Sequence, residues 1–409
     1  MGITAAEVFQ LAARFGAKKV HEQVNLVAPF VDKMKTLKIE GQTGYVTVKT
    51  GGIGTTGFLA DGAPLPAGDN KKPEQLTYYP RHLFTRLDLP RGGLELVRDV
   101  KDGVRLVNEQ LDTAAKDVAR QLGRAVFSAS LGSPAATVAA QDTIEVTDIM
   151  GFRVGMALDI FTAAGAIQCA GETADLVAGT ERSKVIQSIN WTPALGVYTI
   201  TLTEAIDSAT ASVTLNATDQ IFLRGAKDNA LTSLDDVTSE SGDVYDKGPT
   251  DIAEWSGNSL ASTGVGGALT DADLRTVHDK IRLRRGEEVG AVCTNPLVLT
   301  SYMNLFTDNH RFQRGDVLDH YKLKPTFDGI AIEVDPNCPR DKAYLVNMSD
   351  VALHQFRAFG PVTDGDGRAS GMGAALVSQS NFAWDIQMHL STQLRATMRS
   401  GCGVITGIT

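Results

Sequence analysis

Gly52, Gly54 and Gly57 form a GxGxxG spacing directly after Tyr45-Val46-Thr47-Val48-Lys49, a run that alternates as a strand does. Such glycines can cradle a pyrophosphate, provided the third one opens a helix whose N-terminus faces the anion. Here Phe58-Leu59-Ala60-Asp61-Gly62-Ala63-Pro64-Leu65-Pro66 follows, and its prolines and turn residues do not make that helix. A tightly turning glycine loop is the better reading, and a nucleotide-dependent oxidoreductase built on this loop is the alternative from another functional class. Asp364-Gly365-Asp366-Gly367 opens like a calcium loop, but Arg368, Ala369 and Ala375 stand where a ligand, a glycine and a bidentate glutamate are needed. His310 and His320, with Asp308, Asp316 and Asp319, make a loose cluster without metal-ligand spacing. There is no GxSxG elbow, no GxxxxGKS/T phosphate loop and no CxxC pair. The sequence therefore predicts a non-enzyme, with no catalytic residue, no cofactor and no metal.

The composition narrows the field further. In 409 residues, 43% are hydrophobic and 21% charged, which suits two or three packed domains and excludes a disordered chain. The net charge of −9 argues against sequence-independent nucleic-acid binding as the main activity, which needs concentrated Lys and Arg. No apolar run approaches the roughly 20 residues that cross a bilayer, and residues 1–6 lack the cationic flank of a secretory signal. Cys169, Cys293, Cys338 and Cys402 are scattered, and read as buried thiols in a reducing compartment.

Charge and texture divide the chain into parts. Residues 1–131 carry a net +4, residues 132–225 a net −6 and residues 226–409 a net −7. The middle block has period-2 runs at Thr143–Thr147, Leu158–Thr162, Lys184–Ile189, Val197–Leu202, Ser212–Leu215 and Ile221–Leu223, and reads as a small all-β module inserted between two other parts. Thr4-Ala5-Ala6-Glu7 is a capping box ahead of a short amphipathic helix. From about 40 to 92 the chain is rich in Gly and Pro, with alternation at both ends (45–49 and 84–89). It predicts a long hairpin-like excursion whose strands find partners elsewhere.

Val100, Val104, Val107, Leu111, Ala114, Val118, Leu122 and Val126 then recur at helical spacing, which predicts one long helix with a single apolar stripe. Residues 226–268 are polar and read as a long loop. Thr270 caps the next helix, and Asn295-Pro296 starts another after the strand Val289–Cys293. Short strands follow at Ile330–Val334, Ala343–Val346, Val351–Phe356 and Gly403–Ile408. Helices and strands are segregated, so the fold class is α+β.

This order of parts resembles the major capsid proteins of tailed phages, the Hong Kong 97-type fold. The excursion at 40–92 resembles that family's extended E-loop, and the helix near 99–127 its spine. Ala291-Val292-Cys293-Thr294-Asn295-Pro296 is similar to its strand, Asn-Pro turn and helix. Phe327–Val334 and Lys342–Asn347 resemble its loop-Gly-strand and following strand, and Gln393–Ile408 its closing helix and strand. The resemblance implies an N-terminal arm at 1–39, an E-loop at 40–92, a spine region of the peripheral domain at 93–131 and an inserted β domain at 132–225. The rest of the peripheral domain and the axial domain would occupy 226–409.

It further implies a homo-oligomer of hexameric and pentameric capsomers. These would form an icosahedral virion shell, assembled in the host cytoplasm, that encloses double-stranded DNA without sequence-specific binding or a membrane. The implied partners are a portal, a decoration protein and a scaffold: the chain lacks the long, charged, helical N-terminal scaffolding segment that some members carry and later lose, so either the numbering begins after cleavage or a separate scaffold protein is used, and Met1 favours the separate scaffold. Contacts between subunits are expected from Gly52, Gly54, Gly57, Phe58, Leu59, Pro64, Leu65, Pro66, Lys71 and Lys72. The two lysines lie where some members carry a cross-linking Lys. An encapsulin-type compartment is the alternative within the same fold.

Overall fold

The computed structural model describes residues 28–48, 58, 61, 73–90, 100–136, 138–139, 142–165, 167–169, 183–194, 197–204, 206, 214–285, 289–307, 326–361, 375–377 and 383–408. The mixture of helix and sheet is α+β, as the segregation of patterns predicts.

The apolar stripe becomes helix α2, Val100–Phe127; α1 is the short Pro29–Lys33 before it. Leu111, Ala114, Val118, Leu122 and Val126 are buried along one face, and the main core forms where that face meets α1 and two sheets. Phe30 packs on Phe127 at 5.2 Å between ring centroids. The Phe30 backbone N–H donates to the buried carboxylate of Asp335 at 3.0 Å, which fixes the chain's entry into this core. Lys33 pairs with Glu333 beside it.

One sheet runs β1 (Lys35–Lys38), β19 (Val351–Pro361), β21 (Ala383–Ala396), with β20 (Ala375–Val377) beyond the end of β19 and β4 (Arg81–Pro90) on the other edge of β21. β4 pairs antiparallel with β21 over ten residues, from Arg81 opposite Thr392 to Pro90 opposite Ala383.

A second sheet has the order β14 (Asn258–Ala261), β22 (Cys402–Thr406), β18 (Lys342–Val346), β15 (Ala291–Thr294), β17 (Ile330–Val334), β16 (Thr326–Phe327). Helix α4 (Asp271–Arg285) and α5 (Pro296–Thr307) share its apolar cluster, which includes Leu274, Val277, Ile281, Val298 and Tyr302. Asp328 and Gly329 turn the β16–β17 hairpin with φ of 49° and 79°, the left-handed pair that such a two-residue turn requires. Asn295 caps α5, its side-chain oxygen accepting from the Leu297 N–H at 3.1 Å.

The acidic block folds as a seven-stranded sheet. Its order is β5 (Ser130–Gly132), β13 (Gln220–Leu223), β8 (Ala157–Phe161), β10 (Lys184–Ala194), β11 (Val197–Leu202), β7 (Thr143–Val146), with β9 (Ile167–Cys169) on β8. Its cluster is made of residues between Leu131 and Ile221 alone. Arg124 of α2 joins it to the rest of the molecule: its guanidinium donates to Asp148 at 3.0 Å, to the Leu131 carbonyl at 2.9 Å and to the Asn337 carbonyl at 3.2 Å.

Three expectations change. Residues 226–268 are not simply a loop: they carry α3 (Leu234–Thr238) and β14, and bury Leu234, Val237, Val244, Ile252 and Trp255. The closing segment has no helix at Gln393. That residue lies in β21, and a single tight turn at Arg399–Gly401 leads into β22. The excursion's first strand, β2 (Gly44–Val48), pairs inside the excursion with β3 (Glu74–Tyr78), which the alternation at 45–49 and 84–89 did not mark. All four cysteines are buried thiols, none in a disulfide.

Candidate assembly surface at the extended loop

The root of the excursion is a rigid hairpin with a core of its own. Gly44 stands opposite Tyr78 and Val48 opposite Glu74. Val46, Val48, Leu76 and Tyr78, all on one face, pack with Val244, Ile252 and Trp255 from the segment before β14. Gly44 is required here, since a Cβ would come within 2.5 Å of the Tyr78 ring. The Trp255 indole N–H donates to the Val244 carbonyl at 3.2 Å. The Tyr245 hydroxyl donates to the Leu394 carbonyl at 2.6 Å and accepts from the Ala396 N–H at 3.0 Å, tying the cluster to β21. Lys247 and Glu74 form an ion pair at 3.4 Å at the rim. Burial pushes the Tyr78 phenol up to about 12, so it remains a neutral hydrogen-bonding group.

The segment that packs against this root is held by one side chain. Arg399 is wholly buried, and its five donors go to backbone carbonyls: Nε to Val237 (3.1 Å), Nη1 to Gly242 (2.9 Å) and Trp255 (3.0 Å), Nη2 to Asp236 (2.8 Å) and Ser239 (2.8 Å). Burial lowers its pKa to about 10, which leaves it charged at neutral pH.

Phe58 is fully exposed and Asp61 is exposed; Gly52, Gly54, Gly57, Leu59, Pro64, Leu65, Pro66, Lys71 and Lys72 lie outside the described residues. So do the capping box at 4–7, the aspartates and glycines of 364–367 and the His310/His320 cluster. Tyr45, Tyr79 and Phe84 are also exposed, so the root presents aromatic surface as well as the loop. Among the described residues the arrangement can dock a partner on exposed aromatic side chains, Tyr45, Phe58, Tyr79 and Phe84.

Sequence reasoning missed the partners that hold the root, namely Trp255, Tyr245 and Arg399. It missed β21 as well, although Trp384, Ile386, Met388 and Leu390 alternate with polar residues and carry the signal. Among the described residues no cluster of His, Cys, Asp or Glu is placed to hold a metal, and no helix is long and apolar enough to cross a membrane.

No protein-family model matches the sequence, and no curated protein matches it. Solved structures do. A chain from the capsid of the native GTA particle has a TM-score of 0.51 at 9% identity, with 95% of this chain and 91% of that one covered. A chain from the empty GTA particle has a TM-score of 0.51 at 9% identity, with 93% and 90% covered. A chain from the cyanophage A-1(L) capsid has 13% identity over 97% and 93%, with a TM-score of 0.49. The chain is thus similar in fold to the two GTA capsid chains along nearly its whole length.

Proposed function

We propose that this chain is the major capsid protein of a tailed phage, assembling through hexamers and pentamers into an icosahedral shell around double-stranded DNA. The observation that supports this most is the likeness to capsid chains over 95% of the sequence, with the extended loop's root among the parts present. In this reading residues 1–39 are the N-terminal arm, 40–92 the E-loop, 93–131 the spine region and 132–225 an inserted domain. Residues 226–409 complete the peripheral domain and form the axial one. The loop reaches a neighbouring subunit and gains backbone hydrogen bonds and apolar burial there. Repetition of that head-to-tail contact closes rings. A separate scaffold protein, a portal and a decoration protein are the further partners of this reading, and the shell assembles in the host cytoplasm.

Electron microscopy of particles from the native source, with a nuclease-protection assay, tests the proposal. Uniform icosahedral shells holding DNA support it; shells filled with a protein cargo point to an encapsulin-type compartment, and a small soluble oligomer overturns both. Deletion of residues 55–75 leaves a folded subunit that makes no normal shells, and particles of ordinary form from that deletion would remove the loop's role.

A further inference from the structure

Three of the seven histidines lie along the seam where the extended loop's root meets the first sheet. His354 of β19 is buried beneath Tyr78. Its Nδ1 is hydrogen-bonded to the Tyr78 hydroxyl, and its Nε2 is buried without a partner. His82 of β4 and His389 of β21 meet at 2.9 Å between Nδ1 and Nε2, with the Ser391 hydroxyl 3.1 Å from the same His82 nitrogen. Phe84 stacks on His389 at 4.5 Å and 9°. Thus β3, the strand that returns from the loop's tip region, and β4, the strand that follows it, both bear on imidazoles of the sheet.

We propose that this seam is an acid-opened latch on the extended loop. The proposal concerns the regulation of the loop to which the assembly reading assigns contacts between subunits, and it rests on that reading for its purpose alone. Between two neutral rings the His82–His389 contact shares one proton, and once both rings are protonated each facing nitrogen carries a hydrogen, so that the hydrogen bond becomes a repulsion between two cations. A second proton on His354 creates a buried cation whose Nε2–H has no acceptor.

The fields acting on these rings oppose protonation too. Among the described residues, the charged and titratable groups that face His354 are Tyr78 of β3 and Arg395 of β21, with Tyr245 behind Tyr78; those that face His389 are His82 of β4 and Arg357 of β19. None of these is a carboxylate. Burial first, and then Arg395 for His354 and the groups His82 and Arg357 for His389, lower both rings to about 4. Protons have a path, because His82 is exposed and lines a cleft of about 410 Å³ between α2, β4 and the segment leaving β13.

The sign follows from linkage. A histidine depressed from 6.5 to about 4 favours the closed seam at neutral pH, and that contribution is lost as pH falls from 6.5 through 4. Allowing for solvent screening, the opening equilibrium rises by about tenfold per imidazole between pH 7.5 and pH 5.

Hydrogen exchange by mass spectrometry on unassembled subunits tests the latch, so the outcome does not depend on whether shells form. With intrinsic rates corrected, the amides of β2 and β3 exchange faster at pH 5 than at pH 7.5, while those of β15 and β18 do not change. The double variant His354→Gln/His389→Gln shows no such pH dependence. Equal exchange at both pH values in the unsubstituted protein, or a dependence that survives in the double variant, overturns the proposal. Imidazole C2–H exchange in the unsubstituted protein provides a second measurement should that variant not fold: midpoints near 4 for His354 and His389 support the latch, and midpoints near 6.5 overturn it.

Discussion

Helix α2 and the segment from Leu234 to Ser256 are both rigid, by opposite means. α2 is held by repetition, since an apolar residue at every third or fourth position meets a core built from several elements. The other segment has few large apolar residues and closes around one cation, with five carbonyls from three turns of chain converging on Arg399. Repetition distributes stability over many small contributions, so that any one can be trimmed. Convergence concentrates it, because every carbonyl left behind on losing the guanidinium is a buried acceptor without a donor.

Arg399→Met is accordingly the change with the largest expected effect, a loss of about 4 kcal/mol in urea-induced unfolding. Arg399→Lys recovers little of it, because an ammonium cannot reach five separated carbonyls. Exchange of the amides around Trp255 would rise in the same variants. Leu122→Ala in α2 costs about 3 kcal/mol by the same measurement, through the cavity it leaves. It also leaves exchange around Trp255 unchanged, and a rise there would end the distinction between the two regions.

Thr270→Ala has the smallest effect, about 1 kcal/mol. It removes one side of the capping box of α4, in which the Thr270 hydroxyl accepts from the Asp273 N–H at 3.2 Å and the Asp273 carboxylate accepts from both the N–H and the hydroxyl of Thr270. That carboxylate also accepts from the N–H and the hydroxyl of Thr263, and these bonds together outweigh burial and hold its pKa below 3.8. The stability it contributes is present above the ordinary carboxylate range and lost as pH falls through its lowered value. A thermal-unfolding series from pH 5 to pH 2 shows a smaller acid loss in Asp273→Asn.

The same contrast decides what was legible in the sequence. The stripe from Val100 to Val126 gave α2 to the residue at its start, and alternation gave strands such as Val197–Leu202 at both ends. Both patterns are local and periodic. Arg399 follows no period, and nothing in Met398-Arg399-Ser400 foretells that its partners are 144 to 163 residues away. Tyr78 is similar: a single aromatic at the end of a weakly patterned strand acquires its meaning from His354, 276 residues on. The root of the loop was therefore invisible as a site, whereas the loop's Gly and Pro content, which depends on no partner, was plain.

Two strands that other strands need come late in the chain. β21 lies between β4 and β19, and β22 between β14 and β18, so each is interior to its sheet while all of its described partners precede it. A ribosome that has made β4 must add some 300 residues before Ala383 appears, roughly 15–60 s at ordinary synthesis rates. Through that interval the strand leading out of the loop has no sheet to join. The partner that holds this strand is thus withheld from every partly made chain.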